Sequence, residues 1–215
     1  MVDGPYIIMF AVEEKSNDIV RDVIDECSTA GFFETPESTA YHHASSVAEI
    51  ADTGHGLVRL QYDDGFKHKL IFDLDNPDWR GIGGLFRFTM EAGYLDPDSG
   101  DSAATHVFRD ALVDLVGQLA VRIEPAYVNS VGTQTATNEF HRGIVPQNPL
   151  NADEFDHVPW LGVYAPETVD GFGGVDHVLS TPAYRVEQLD SGHVLMIATE
   201  SPWAVPDREV EAHLL

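Results

Sequence analysis

Apolar residues recur with helical spacing in two long segments of the chain. The first begins at residues 16–17 and extends to about Ala30, with apolar side chains at positions 19, 20, 23, 24 and 27 forming one stripe. The second follows residues 101–102 and repeats apolar residues every three or four positions from Val107 to Ala120. The spacing predicts two amphipathic helices, each of which buries one face against a core.

Strand patterns come in pairs around short turns. Two β-rich runs, 57–62 and 66–72, flank Asp63-Asp64-Gly65, and an Asp-Gly turn between such runs predicts a hairpin. A second hairpin is predicted from runs at 184–189 and 193–199, which Asp190-Ser191-Gly192 connects. Further strands are predicted at 6–12, 126–131 and 160–164, and short helices at 85–91 and after Pro166.

This order of elements predicts an α+β fold with largely antiparallel sheets and helices packed on one face. The run Gly81-Ile82-Gly83-Gly84 has an echo in Gly171-Phe172-Gly173-Gly174, which is compatible with two related halves. We therefore expect an N-terminal α+β half at 1–132, a connecting stretch at 133–158 and a C-terminal α+β half at 159–215. The two halves are also compatible with one compact domain, because 215 residues suit either arrangement.

The charge of the chain restricts its partners. Asp and Glu number 36 against 12 Lys and Arg, which gives a formal net charge of −24, while a hydrophobic fraction of 43% supports a folded core. Nucleic acids and anionic membranes are poor partners for such a surface, because binding them requires Lys and Arg to replace counterions. We expect neither a nucleic-acid partner nor a membrane partner.

The distribution of the acidic residues also indicates the solvent to which the protein is adapted. The acidic residues spread along the whole chain and only three of the basic residues are Lys, a composition that resembles the proteins of halophilic archaea. Near 1 M salt the Debye length is about 3 Å, so salt screens the mutual repulsion of the carboxylates. The composition therefore predicts a protein that loses structure at low salt.

Cysteine usage and the N-terminus indicate a cytoplasmic protein. Cys27 is the single cysteine, it lies on the apolar stripe of the first helix, and it has no partner for an intrachain disulfide. The apolar run at 6–12 follows no Lys or Arg and is too short to span a bilayer, so it is interpreted as a strand.

Motifs for cofactors and catalysis are missing from the sequence. Neither glycine run extends into a phosphate-binding loop, and no GxSxG or HExxH motif occurs, so we expect no cofactor. The candidate metal ligands are His42, His43, His55 and His68, but two adjacent histidines point in different directions and cannot chelate one ion well. No metal site is predicted. A hydrolase with a His–carboxylate or metal site stays an alternative.

The C-terminal region carries the most specific pattern. It contains Trp-Leu-Gly-Val-Tyr-Ala-Pro-Glu at 160–167, Pro-Ala-Tyr-Arg-Val-Glu at 182–187, Leu-Asp-Ser-Gly at 189–192, Val-Leu at 194–195 and Thr-Glu-Ser-Pro at 199–202. These segments, about a fifth of the chain, resemble the C-terminal region of the bacterial immunity proteins encoded beside polymorphic and type VI secreted toxins. The chain departs from that pattern at Val163, where the family has an aromatic residue; here the aromatic residue is Tyr164.

The resemblance implies a non-enzymatic protein that binds and blocks another protein, such as a toxin. On this interpretation Trp160, Tyr164 and Trp203 are the candidate partner-binding residues, with placement in the core as the alternative. A hydrolase, a small-ligand sensor and a structural subunit are the other functions left open. The oligomeric state is not predicted.

Overall fold

The computed structural model describes residues 5–13, 16–35, 46–63, 65–74, 84–96, 102–132, 146, 148–204 and 208–215. Within this part of the chain there are nine strands: β1 (Pro5–Val12), β2 (Phe32–Glu34), β3 (His55–Tyr62), β4 (Phe66–Asp73), β5 (Gly84–Glu91), β6 (Tyr127–Gly132), β7 (Leu161–Tyr164), β8 (Arg185–Gln188) and β9 (Val194–Ile197). They form one sheet in the order β2-β3-β4-β5-β1-β6-β7-β9-β8.

Every pairing in this sheet is antiparallel, which confirms the predicted α+β class. Strand β1 lies near the middle, between β5 and β6, and the edges are β2 and β8. The ladder between β6 and β7 places the strands of the two predicted halves in one continuous sheet. A relation between those halves stays a prediction.

Six α-helices lie in the described residues: α1 (Asn17–Thr29), α2 (Val47–Thr53), α3 (Ser102–Ile123), α4 (Pro166–Gly171), α5 (Val175–Leu179) and α6 (Arg208–Leu214). Short 3₁₀ turns occur at Ala92–Leu95 and Ala152–Glu154. Among the described helices, none combines the length and the apolar character that crossing a bilayer requires.

The sheet carries a hydrophobic core on each of its faces. Along β1, Tyr6, Ile8 and Phe10 point toward the main core, which α1, α2 and α3 complete, because alternate residues of a strand face opposite sides. Ala11 faces the second core, which α4, α5 and α6 cover. The predicted layer of helices on one face is therefore joined by a second, smaller layer on the other face.

Helix α2 was not predicted, although its start has a sequence signature. The Ser46 hydroxyl accepts from the Glu49 backbone N–H, and the Glu49 carboxylate accepts from the Ser46 backbone N–H. This reciprocal pair is a capping box, which satisfies two donors that a helix start leaves without partners. The helix ends at Gly54, whose φ of 74° suits a glycine.

The predicted helix at 85–91 is wrong, because this segment forms strand β5. Phe86, Phe88 and Met90 are buried in the main core, while Arg87 and Thr89 between them are only half-buried. That alternation has a period of two, which is the period of a strand with one covered face. The Gly- and Pro-rich surroundings of the segment obscured it.

Cys27 is fully buried on α1, and burial raises the pKa of its thiol. Because the thiolate is the reactive form, we expect the thiol to resist alkylation by iodoacetamide in the folded protein. In denaturant the same thiol should react fully, and intact mass spectrometry distinguishes the two results. Rapid alkylation of the folded protein would contradict the burial of Cys27.

Candidate functional site

A groove runs between α3 and the β8–β9 hairpin, at the end of the sheet farthest from β2. Its larger part encloses about 720 Å³ and its smaller part about 330 Å³, and Val113, Asp114 and Arg185 line both parts. We call this surface the α3–β8 groove. One wall is α3, and the other is an edge strand of the sheet.

Strand β8 has one neighbour in the sheet, β9, among the described strands. The backbone at the outer side of an edge strand offers N–H and C=O groups to an additional strand. Tyr184 directly precedes β8, lines the smaller part of the groove and is 57% exposed. An exposed aromatic residue beside an open strand edge is a feature typical of protein-binding surfaces.

Acidic side chains outnumber basic ones around the groove. The carboxylates are Glu26, Asp110, Asp114, Glu187, Asp190 and Glu200, and the guanidinium groups are Arg109, Arg122 and Arg185. Six negative and three positive groups give the lining a net charge of −3. A basic partner surface would therefore be attracted to it.

Arg185 connects the two walls of the groove. Its guanidinium lies 2.7 Å from the Glu187 carboxylate on the same strand and 3.8 Å from the Asp114 carboxylate on α3. Exposed ion pairs contribute only about 0–1 kcal/mol to the free energy of unfolding, so the contribution of Arg185 is mainly geometric. Its two contacts place the guanidinium between the strand and the helix.

Trp160 lines the smaller part of the groove from below and is 6% exposed. Its indole N–H donates to the Thr199 backbone carbonyl at 2.9 Å, and its ring packs edge-to-face with Tyr6 at a centroid distance of 6.0 Å. These contacts anchor the start of β7 to the end of β9. Of the three predicted aromatic residues, Trp160 is the one that borders the groove.

The other two predicted aromatic residues lie elsewhere. Tyr164 is fully buried in the second core beside Tyr127 and Phe172, and burial raises the pKa of its hydroxyl. Trp203 is half-buried and packs edge-to-face on Tyr6 at 5.6 Å. The burial of Trp160 and Tyr164 corresponds to the core alternative, and a direct partner-binding role for the three residues stays a prediction.

The predicted histidine ligands are not brought together where the structure describes them. His55 lies 3.0 Å from the Asp73 carboxylate, while His68 is buried five positions further along the same ladder, opposite Leu60. His42 and His43 lie outside the described residues. Among the described residues, no three His, Cys, Asp or Glu side chains gather as a metal site requires.

A serine and a histidine meet at the end of α5, in an arrangement unsuited to nucleophile activation. The Ser180 hydroxyl donates to the His177 carbonyl at 2.7 Å and lies 3.2 Å from His213 Nε2. That Nε2 also lies 3.1 Å from the same carbonyl, which can only accept, so it carries the proton. A protonated nitrogen cannot act as the base that a hydrolase needs there.

Sequence reasoning missed Tyr184, Asp114 and Arg185. Two of them, Tyr184 and Arg185, lie inside the segment that carries the resemblance, so the signal was present in the quoted motif. Asp114 is exposed on α3. The groove itself depends on packing between α3 and β8, and no local pattern reports that contact.

The comparisons with known proteins concern the fold. No protein-family model matches the chain, and no curated protein matches it in sequence. Among solved structures, the T6SS protein PA0821 of Pseudomonas aeruginosa is similar with a TM-score of 0.54 and 11% sequence identity. The similarity covers 98% of this chain and 71% of that chain. At 11% identity, this similarity concerns the fold alone.

Proposed function

We propose that this chain is a binding protein of the immunity type, which binds another protein at the α3–β8 groove. The observation that carries this proposal is an acidic groove beside an open strand edge, with the exposed Tyr184 at its rim. Two further facts support it. The segments that resemble immunity proteins form β7, α4, β8 and β9, and therefore one wall of the groove, and the similar solved structure is a T6SS protein.

The chemistry of the groove suggests the partner. A net charge of −3 in the lining favours a basic surface on that partner. Tyrosine is enriched among the residues that dominate interface energies, because a rigid ring buries a large area with one polar group at its tip. The partner could also add a strand to β8. The salt requirement expected from the composition stays a separate prediction.

A pair of matched variants tests this proposal. Tyr184 precedes one edge strand and is 57% exposed, while Phe33 lies in the opposite edge strand, β2, and is 58% exposed. Tagged wild-type protein, Tyr184→Ala and Phe33→Ala are each isolated from the native host, and the proteins retained with them are quantified. We expect one partner to be retained by wild type and Phe33→Ala and reduced about tenfold or more with Tyr184→Ala, since truncating an aromatic anchor of an interface costs about 2 kcal/mol of binding free energy.

Equal retention of all partners by the two variants would overturn the proposal. Stronger loss with Phe33→Ala would move the binding surface to the other edge of the sheet. Circular dichroism of both variants separates loss of binding from loss of folding, because both substituted side chains are mostly exposed and should leave the fold intact.

A further inference from the structure

Four basic side chains lie on one side of strands β3, β4 and β5: Arg59, Lys67, Lys69 and Arg87. Their neighbours along the strands, including Leu60, Leu70 and Phe86, are buried in the main core under α1, α2 and α3. Because alternate residues of a strand face opposite sides, the four basic residues face away from that core. We call them the basic patch.

The register of the strands brings these charges together. Arg59 lies directly opposite Lys69 in the β3–β4 ladder. Arg87 pairs with Ile71 in the β4–β5 ladder and is therefore diagonal to Lys69. Opposite residues have Cβ atoms about 5 Å apart and diagonal ones about 7–8 Å, so the three charges form one cluster. Lys67 lies two residues along β4 from Lys69, on the same side.

The patch is an exception in this chain. It contains four of the 12 Lys and Arg residues of a protein that has 36 Asp and Glu residues. The residues beside them on this side of the sheet are nevertheless uncharged: Leu57, Gln61, Ile71 and Thr89. Like charges directly opposite each other destabilise a sheet. Folding alone therefore gives no reason to place Arg59 opposite Lys69.

Three residues of the basic patch lack a carboxylate partner in the part of the chain that the structure describes. No ion pair joins Arg59, Lys69 or Arg87 to a carboxylate among the residues that the structure describes. The Arg59 Nε is shielded from solvent and has no hydrogen-bond acceptor within the described part of the chain.

We propose that the basic patch binds an acidic segment of a partner protein. The carboxylates of such a segment would accept from the guanidinium and ammonium groups, as charge-assisted hydrogen bonds require. Half-buried Leu57 and Ile71 lie within the patch and would contact apolar side chains of the same segment. The surface is separate from the α3–β8 groove, because β3–β5 and β8 belong to different ends of the sheet.

Total charge favours a protein segment over a nucleic acid. Every phosphate of a nucleic acid carries a charge, so the net charge of −24 on this chain repels a long strand at each position beyond the patch. An acidic segment of a few residues carries a short run of charge that the patch can match. A second copy of this chain is also disfavoured as the occupant, because two molecules of charge −24 repel each other.

The test uses fluorescein-labelled oligoglutamate as the probe, with fluorescence anisotropy as the readout. The patch variant is Lys69→Gln with Arg87→Gln, and the matched control is Arg21→Gln with Arg208→Gln, which removes the same charge from exposed sites on α1 and α6. We expect the patch variant to bind oligoglutamate about tenfold more weakly than wild type, because it lacks two of the four positive charges of the patch. The control should retain wild-type binding.

Four results would overturn the proposal. The first is no binding of oligoglutamate to wild type, and the second is an equal loss in the control. The third is tighter binding of a labelled single-stranded oligonucleotide than of oligoglutamate at equal charge, which would assign the patch to nucleic acid. Sedimentation of the unlabelled protein reports self-association, and a dimer that the patch variant abolishes would assign the patch to a second copy instead. Failure of these tests leaves the proposal for the groove intact, because Tyr184 is not part of the patch.

Discussion

Replacing Trp160 by Ala is expected to lower the free energy of unfolding by about 3–5 kcal/mol, the typical cost of removing a buried tryptophan from a core. The side chain fills the main core beneath the α3–β8 groove, and its indole N–H donates to the Thr199 carbonyl. Urea unfolding followed by far-UV circular dichroism measures the change. Because the total stability of a domain this size is often only 5–15 kcal/mol, Trp160→Ala is expected to be marginally folded.

Phenylalanine substitutions keep the test decisive if Trp160→Ala fails to fold. Trp160→Phe loses the hydrogen bond to Thr199, which contributes about 1 kcal/mol to the free energy of unfolding. The Trp203 indole N–H, in contrast, is buried and has no acceptor among the described residues. Trp203→Phe removes that unsatisfied donor, so we expect a smaller cost than for Trp160→Phe. An equal or larger cost for Trp203→Phe would contradict the placement of the two rings.

Acidification is expected to destabilise the protein through His68. This side chain is 4% exposed, and its ring packs beside Phe32 and Phe108 with centroids 5.1 and 5.7 Å away. Neither ring nitrogen has a hydrogen-bond partner among the residues that the structure describes. Burial lowers the pKa of His68 from 6.5 to about 4. Between these two values the unfolded chain binds a proton that the folded protein does not. Protonation of His68 therefore has little effect on the free energy of unfolding above pH 6.5 and lowers it by about 3 kcal/mol as the pH decreases to 4.

Two substitutions at His68 distinguish the effect of protonation on stability from the cost of burying the polar ring atoms. His68→Leu and His68→Gln both lack a titrating group, so each should lose stability less steeply than wild type between pH 6.5 and 4. At pH 7 only His68→Leu is expected to be more stable than wild type, because it removes the unsatisfied polar atoms while glutamine retains them. Urea unfolding at several pH values gives these differences. Parallel pH profiles for wild type and both variants would disprove the linkage.

Local patterns predicted much of this fold. The hairpin around Asp63 is confirmed, with Asp63 at a φ of 51°, and so is the hairpin that joins β8 to β9. Helix α1 begins where predicted, since the Ser16 hydroxyl accepts from the Asp18 backbone N–H. These elements form from residues close together in sequence, where turn chemistry and periodicity act directly.

Long-range pairing could not be predicted in the same way. Strand β1 pairs with β5 and β6, which lie about seventy residues or more along the chain, and no local pattern selects these partners. The same limit applies to the functional surfaces. The alternation of Lys67 and Lys69 with apolar residues is typical of an exposed strand face or edge, but only the register adds Arg59 and Arg87 to the same side. The groove likewise requires α3 to pack beside β8.

The aromatic residues show a second limit. Trp160, Tyr164 and Trp203 were selected because they lie near the resembling segments, whereas their exposure depends on the opposite layers of the fold. Tyr164 faces the second core, and α4 and α5 cover that face of the sheet. Tyr184 lies only twenty residues further along and is exposed at the sheet edge. Proximity to a motif in the sequence therefore does not predict whether a side chain is exposed at the surface.

Site-specific photo-crosslinking tests the central claim most directly. Benzoylphenylalanine is introduced in place of Tyr184 or of Phe33, and the cells that naturally express the protein are irradiated. Both positions hold large exposed side chains, at opposite edges of the sheet. The proposed function predicts one covalent adduct of defined mass from position 184 and none of that mass from position 33. An adduct from position 33 alone, or the same adducts from both positions, would contradict a partner at the α3–β8 groove.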